Sequence, residues 1–470
     1  MSTEFDLVEL AKHGPIHFMG IGGAGMAPLA EMALLAGARV TGCDSSPGPA
    51  TQRLEERGAH VYQGHDPSHA ADCAALVTTA AVPHDHPELA AARARGIPVL
   101  KRAEALGAIV NHGTVVGIAG THGKTTTTTL TTAVLEAAGA RPTGFVGARV
   151  PAWGGNLRPG GDQVYVVEAD EYDRSFHQLR PTVAVVTTLE ADHLDIYGSL
   201  QAIEEAFDHF VGAVPPDGLI AACADDHGAA RMAARMPGGP ERVLTYGLSA
   251  GAMLRAEDVR FTPSGAVFTV RERGAVLGTA RLNAPGEHNV RNALAAVAVG
   301  RRFGAEWDAI ARGLASYAGV DRRFEQIGEA GGILFVDDYA HHPTEVRATL
   351  GAARAGYGDR RLVAVFQPHL YSRTRDFAAE FGQALAGADV VILTDVYAAR
   401  EKPIEGVTGQ MIADTARDAG VQVRYVPVRA EVVDAVAAEL RPGDLCLTLG
   451  AGNLDMAARE LHQHFSGGRG

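Results

Sequence analysis

Cysteine is scarce in this chain and follows no pattern. Cys43, Cys73, Cys223 and Cys446 are scattered over 470 residues with no C-x-x-C pair. That spacing supplies neither a disulfide framework nor a zinc motif, and it suits a reducing compartment. Long apolar runs are also missing: none approaches the roughly 20 residues that span a bilayer, so no membrane insertion is expected. Residues 1–14, MSTEFDLVELAKHG, are mixed and charged, unlike a secretory signal. Positive charge is in deficit. The formal net charge is -13 with no long basic run, which argues against nucleic acid as a partner. Anionic substrates stay open, because local loops and lysines can hold phosphates. H-E-x-x-H does not occur, so that metalloprotease signature is missing. No repeat of clear period is found, and low complexity is confined to one threonine run. These exclusions leave a soluble, cytoplasmic, globular chain, too long for one core and expected to form roughly two to four domains. The tail at 465–470, FSGGRG, is expected to fray.

The most informative stretch is 117–129, GIAGTHGKTTTTT. An apolar run over 114–119 predicts a buried strand. It breaks at Gly120, Thr121, His122 and Gly123, and a helix is predicted from about Lys124. Strand, glycine turn and helix N-terminus together form a phosphate cradle. Lys124 adds a point charge for terminal phosphates, and the Thr125 hydroxyl can ligate Mg²⁺. The general pattern wants glycine at 118, where this chain has Ile118. The predicted helix over 125–138 opens with five threonines, a poor run for a helix because β-branched side chains lose χ1 freedom.

Three α/β regions follow from the apolar periodicity. Over 15–110, a strand at 16–21 leads into Gly20, Gly22 and Gly25 in G-x-G-x-x-G. A helix and a second strand ending at Asp44 come next, the acid placed about 20 positions on to meet a ribose. In the middle region, apolar strands at 163–167 and 183–189 end in Glu168-Ala169-Asp170-Glu171 and Glu190-Ala191-Asp192-His193. Ligands bind at the carboxyl edge of parallel sheets, so both ends and the glycine turn point to one crevice. Glu168 and His193 are candidate metal ligands there. Residues 251–284 read as short antiparallel strands. The following helix carries Asn289 and Asn292 on one face, able to read an adenine edge; Asn289 alternatively caps that helix. From about 319, five further strands alternate with helices, with polar clusters at 337–343, 367–369 and 372–375.

Eight segments in this order resemble the Mur ligases of peptidoglycan synthesis. They are GIGGAGM at 20–26, GTHGKTTT at 120–127, EADE at 168–171, EADHLDIYGS at 190–199, GEHNVRNALAA at 286–296, RRFE at 322–325, DDYAHHPTE at 337–345 and FQPHLYSRTRD at 366–376. The first and last of these, with no lysine between His193 and Phe210, are closest to the alanine-adding branch. The resemblance implies an α/β fold of three domains. A Rossmann-like domain over 1–110 would hold the UDP-sugar, with Gly22, Gly23, Ala24, Gly25 and Asp44. A P-loop ATPase-like domain with a small antiparallel sheet, 111–318, would hold MgATP. A Rossmann-like domain over 319–470 would close and bring the amino acid. The implied activity is ATP-dependent joining of L-alanine to the lactyl carboxylate of UDP-N-acetylmuramate through an acyl phosphate. For ATP the resemblance implies Gly120, Thr121, His122, Gly123, Lys124, Thr125, Thr126, His288, Asn289, Asn292, Arg323 and Asp338. Catalysis would rest on Lys124, Glu168 and His193, the metal on Thr125, Glu168 and His193, and substrate contacts on Tyr339, His341 and Arg373. The chain is compatible with a monomer or a homodimer. Leu370 stands where many relatives carry arginine, so Arg373 or Arg375 would have to compensate; Asn453 replaces a common acid. An oxidoreductase reading of the first glycine motif leaves the P-loop unexplained; a non-catalytic nucleotide-binding switch is a further alternative.

Overall fold

The structure is a computed structural model describing residues 7–79, 82–399 and 401–467. Residues 1–6 and 468–470, which contain part of the expected leader-free start and fraying tail, lie outside the described residues. The last helix runs over Asp455–Ser466. The chain forms two compact units: residues 1–257, 269–280 and 291–318, and residues 258–268, 281–290 and 319–470. Each is described by itself.

In the first unit, five parallel strands open the chain: β1 (Ile16–Met19), β2 (Val40–Asp44), β3 (His60–Gln63), β4 (Ala75–Thr78) and β5 (Val99–Lys101). Their order is 3-2-1-4-5. The order reverses at β1, so the glycine turn that follows β1 lies at the topological switch point, where such sheets bind ligands. The strand β1 is fully buried, so Ile16, Phe18 and Met19 are apolar on both faces; His17 is its one polar residue.

The second sheet has ten strands: β6 (Thr114–Ala119), β7 (Thr143–Val150), β8 (Gly155–Arg158), β9 (Val164–Glu168), β10 (Val183–Val186), β11 (Leu219–Cys223), β12 (Val243–Gly247), β13 (Leu254–Thr262), β14 (Gly265–Glu272) and β15 (Ala275–Leu282). The order is 15-14-13-12-11-10-6-9-7-8. β6 therefore lies between β9 and β10, parallel to both. The three strand ends singled out in the sequence are immediate neighbours. The strands read as a small antiparallel sheet do not stand apart: β13 pairs in parallel with β12 and the trio extends this sheet.

The third sheet, in the second unit, orders β16 (Glu325–Ala330), β17 (Ile333–Asp338), β18 (Leu362–Phe366), β19 (Val390–Leu393), β20 (Gln422–Tyr425) and β21 (Leu445–Leu449) as 16-17-21-18-19-20. All pairs are parallel except the edge pair β16–β17. Two cores flank it. Leu362, Ala364 and Phe366 of β18 enter one, and Val363 and Val365 enter the other. A strand buried on both faces must be apolar at every position, and β18 is.

Candidate active site

The first helix of the second sheet's region, α1 (Lys124–Ala137), starts directly after β6 and its glycine turn. Gly120 has φ +137°, and a Cβ there would lie 2.0 Å from Thr187 Oγ1. Gly123 is left-handed at φ +82°, with Asn292 Oδ1 2.7 Å from where its Cβ would be. Glycine is therefore obligatory at both turn positions. Ile118, where the general pattern has glycine, is a fully buried strand residue paired with Glu168. The cradle simply begins two residues later. The threonines Thr125 to Thr129 are all buried in the helix. Thr129 Oγ1 donates to Thr125 O at 2.9 Å and Thr132 Oγ1 to Thr128 O at 2.8 Å, so part of the run satisfies its hydroxyls on its own helix.

Lys124 Nζ donates to Gly120 O at 2.7 Å and to both Glu171 oxygens at 2.8 and 3.0 Å. Burial disfavours the ammonium, but Glu171, Asp170 and Glu168 outweigh it and hold the Lys124 pKa above the ordinary lysine value. Burial likewise pushes the Glu171 carboxyl up to about 7, with Lys124 offsetting only part of that rise. Thr125 Oγ1 donates to Glu168 Oε1 at 2.8 Å, and Gly147 N to Glu168 Oε2 at 2.5 Å. His193, left-handed at φ +50°, follows Asp192; its Nε2 lies 3.9 Å from Glu171 Oε1 and 3.8 Å from Asp192 Oδ2. Its ring meets Tyr172 edge-on. His122 Nε2 lies 2.6 Å from Glu190 Oε1, and Glu190 N donates to Thr121 Oγ1. Thr126 is buried in the first turn of α1. Apart from Gly147, which lies in β7, these groups sit at or follow the ends of β6, β9 and β10.

The chemistry of the donor set fits Mg²⁺. Thr125 and Glu168 offer hard oxygens 2.8 Å apart. That is close to the roughly 3 Å between adjacent ligands of an octahedral ion with ~2.1 Å bonds.

The N-terminal glycine turn is built differently. Gly22 N donates to Asp44 Oδ2 and Ser46 N to Asp44 Oδ1, both at 2.9 Å. Both carboxylate oxygens thus brace backbone amides, and a Cβ on Gly22 would come 2.9 Å from Asp44 Oδ2. Gly23 packs on the Gly20 carbonyl, and the Ala24 carbonyl accepts from Asn156 Nδ2 at 3.3 Å. A Cβ on Gly25 would meet Arg102 Nη1 at 2.8 Å, and Arg102 Nη2 lies 3.5 Å from Asp170 Oδ2. Arg102 therefore stands between the glycine turn and the acidic segment after β9. Sequence reasoning passed over it, since no motif marks it; only the close approach to Gly25 does.

The second unit gathers its own set at the carboxyl ends of β17 and β18. Asp338 Oδ2 accepts from Phe324 N at 2.7 Å and Oδ1 from Ala340 N at 2.8 Å; burial pushes its carboxyl up to about 6 despite nearby Arg323. Arg323 lies over the Tyr339 ring at 5.0 Å, with Nη1 3.7 Å from Glu345 Oε1. His341 packs edge-on against Tyr339 and against His369, and Arg373 Nη1 lies 3.5 Å from His369 Nδ1. Tyr339, His341, His369 and Arg373 form one continuous chain of contacts. His369 joins it from a motif noted in the sequence but not assigned a role. Leu370 is left-handed at φ +69° and buried. Arg375 pairs with Asp376 on the surface, so of the two arginines Arg373 is the one held at this cluster. Asn453 Oδ1 accepts from Gln367 Nε2 at 3.2 Å. Asn289 donates from Nδ2 to Pro285 O, inside the helix Glu287–Arg302, and does not act as its N-cap. His288 packs beside Gly286.

The chain matches known families along nearly its whole length. Residues 15–114 match the Mur ligase family catalytic domain, 118–300 the Mur ligase middle domain, and 322–452 the Mur ligase glutamate ligase domain. It is 46% identical over 447 residues to a UDP-N-acetylmuramate–L-alanine ligase of Salinibacter ruber, covering 95% of this chain and 94% of that one. It is 46% identical over 455 residues to a protein of the same description from Kineococcus radiotolerans, covering 96% of each. Among solved structures, the UDP-N-acetylmuramate-alanine ligase of Thermotoga maritima superposes with a TM-score of 0.81 at 27% identity, over 97% of this chain and all of that one (100%). A murein peptide ligase of Psychrobacter arcticus gives 0.69 at 25% identity, over 96% and 99%. With matches to three of the family's domains in order and such identity over almost the full length, this chain belongs to the Mur ligase family.

Proposed function

We propose that this chain joins L-alanine to the lactyl carboxylate of UDP-N-acetylmuramate at the expense of ATP, a cytoplasmic step of peptidoglycan synthesis. The observation that carries the chemistry is the pairing of Lys124 and Thr125, at the head of α1, with the acids Glu171 and Glu168. The choice of alanine is supported by the relatives at 46% identity. We assign residues 1–110 to the UDP-sugar, 111–318 to ATP and 319–470 to the amino acid.

The γ-phosphoryl group passes from ATP to a carboxylate oxygen, its bond to the ADP oxygen breaking as the acyl phosphate forms. The alanine amine then attacks the acyl carbon and loses a proton; the tetrahedral adduct expels inorganic phosphate and leaves the amide. The amides of Gly120 to Gly123 cradle the phosphates, and Lys124, kept protonated by its acids, exchanges Gly120 O for a phosphoryl oxygen. Thr125 and Glu168 would hold one Mg²⁺, and Glu168 and His193 a second; the ions neutralise phosphate charge when bound. His288, Asn289, Asn292, Arg323 and Asp338 are assigned to the nucleotide, the last as a brace of the loop that carries Tyr339. Tyr339, His341 and Arg373 are assigned to the amino acid, with the Arg373 guanidinium meeting its carboxylate.

The test is ADP release and amide formation with UDP-N-acetylmuramate and a panel of amino acids and peptides. L-alanine drives both if the reading holds. Turnover with a tripeptide but not with L-alanine overturns it.

A further inference from the structure

A second cluster of ligating side chains lies beneath the N-terminal glycine turn, away from the acids of the ATP site. Cys43 Sγ is 3.1 Å from His65 Nδ1 and 3.4 Å from Glu88 Oε2, and those two atoms are 3.3 Å apart. The three atoms make a nearly equilateral triangle. Neighbouring ligands of a tetrahedral ion with bonds of ~2.0–2.3 Å stand roughly 3.3–3.8 Å apart, so the triangle is close to one face of such a site. A ring nitrogen of His17, Cys43 Sγ and a Glu88 oxygen also lie within 4.8 Å of one another.

His17 supplies the independent observation. Its side chain is completely buried, and its Nε2 has no hydrogen-bond partner. Its Nδ1 is 2.9 Å from Thr41 Oγ1, which fixes the ring and leaves Nε2 with the lone pair when Nδ1 donates. A buried polar atom without a partner is costly and needs a reason. Glu88, also completely buried, is otherwise accounted for: its Oε1 accepts from Asp66 N at 2.9 Å and lies 3.2 Å from His69 Nδ1. A purely structural network would therefore satisfy Glu88 and still orphan His17.

We propose that Cys43, His65, Glu88 and His17 form a binding site for a divalent transition cation of the Zn²⁺ type. One thiolate, one carboxylate and two neutral imidazoles around Zn²⁺ sum to zero charge, which suits a site with Cys43, Glu88 and His17 buried and His65 open to solvent. Zinc ligation takes the Cys43 thiolate, so binding releases the thiol proton as the zinc–sulfur bond forms. Thr41 and His69 orient His17 and Glu88 from outside the ligand set. The ion has a defined structural place. Cys43 O accepts from Gly20 N at 2.8 Å and Ile21 N at 3.1 Å, so it anchors the floor of the turn assigned to the UDP-sugar. That last link rests on the proposed function; the metal binding does not.

The test uses the full-length protein, stripped with a chelator and titrated with Co²⁺ and then Zn²⁺. The expected result is one Co²⁺ per chain with a thiolate-to-cobalt charge-transfer band and tetrahedral visible bands. Zn²⁺ in stoichiometric amount displaces it and raises the melting temperature. Cys43→Ser removes the charge-transfer band, and His17→Gln weakens Zn²⁺ binding by more than about tenfold, the least that loss of a ligand should cost. Circular dichroism checks the folding of each variant, and the wild-type spectra decide alone if a variant does not fold. A wild-type titration without the charge-transfer band overturns the proposal, and so does the band's survival in folded Cys43→Ser. Cobalt held only at the Mg²⁺ site, with oxygen and imidazole ligands, gives no thiolate band and also overturns it. Ligase activity enters none of these readouts, so failure here and failure of the proposed function are separable.

Discussion

The chain contains two glycine turns of the same grammar, one after β1 and one after β6, and they are equipped for different work. Both follow a buried parallel strand and lead into a helix. After β6, a lysine and a threonine open the helix and meet carboxylates at 2.8 Å each. After β1, no cation opens the helix, and the acid Asp44 is used up bracing Gly22 and Ser46. A turn that only holds a diphosphate needs shape and backbone amides. One that moves a phosphoryl group also needs charge that answers the developing charge of the transition state. The acids differ in degree: Asp44 and Asp338 accept from backbone amides on both oxygens, whereas Glu168 accepts from Gly147 N on one oxygen and from the Thr125 hydroxyl on the other.

Substitutions can break this contrast, and the largest effect is expected at Lys124. Lys124→Ala should lower turnover by roughly 10³-fold or more while melting stays cooperative, because the loss falls on the transition state. Near-normal turnover would remove the β6 turn from the chemistry. Glu168→Ala comes next, with about 10²-fold lower turnover at low Mg²⁺, partly restored as Mg²⁺ is raised. An activity indifferent to Mg²⁺ in that variant would take Glu168 out of the ligand set. At the β1 turn, Gly22→Ala pushes a methyl onto the Asp44 carboxylate. It should raise KM for the UDP-sugar about tenfold and leave KM for ATP unchanged; a change in the ATP value instead would collapse the distinction between the turns.

Much of this was legible in the sequence, and for a physical reason. Strands buried on both faces read as apolar runs, so β6, β10, β18 and β21 stood out, and glycines with chemical groups just past them marked the sheet edge. The edge strand β16 did not stand out. Its sequence EQIGEA is largely polar, half exposed, and broken by a register shift at Gln326/Gly328. Arg102 was invisible because its place depends on a glycine 77 positions earlier. The cysteine spacing spelled no zinc motif, yet His17 and Cys43 meet because β1 and β2 are neighbours, and the segments after β3 and β4 bring His65 and Glu88 to Cys43. The threonine run looked wrong for a helix; Thr129 and Thr132 direct their hydroxyls to helix carbonyls, while the buried hydroxyls of Thr127 and Thr128 find no partner.

The smallest expected effect concerns the bracing acids. Asp338 is raised to about 6 in the folded chain from 3.8. The folded state therefore binds its proton more tightly, and the associated stability is present below about pH 4 and lost as pH rises through 6. The melting temperature of the second unit should fall by a few degrees between pH 5 and 7 from this group, and Asp338→Asn should flatten that slope. An unchanged slope would mean that the carboxylate is not held in the environment described.

The central claim is that the β6 turn transfers phosphoryl to the lactyl carboxylate before the amide forms. It is tested most directly with UDP-N-acetylmuramate carrying oxygen-18 in that carboxylate. The account predicts that each amide formed delivers one labelled oxygen into inorganic phosphate, and that Lys124→Ala suppresses both together. Amide formed with unlabelled phosphate would contradict it.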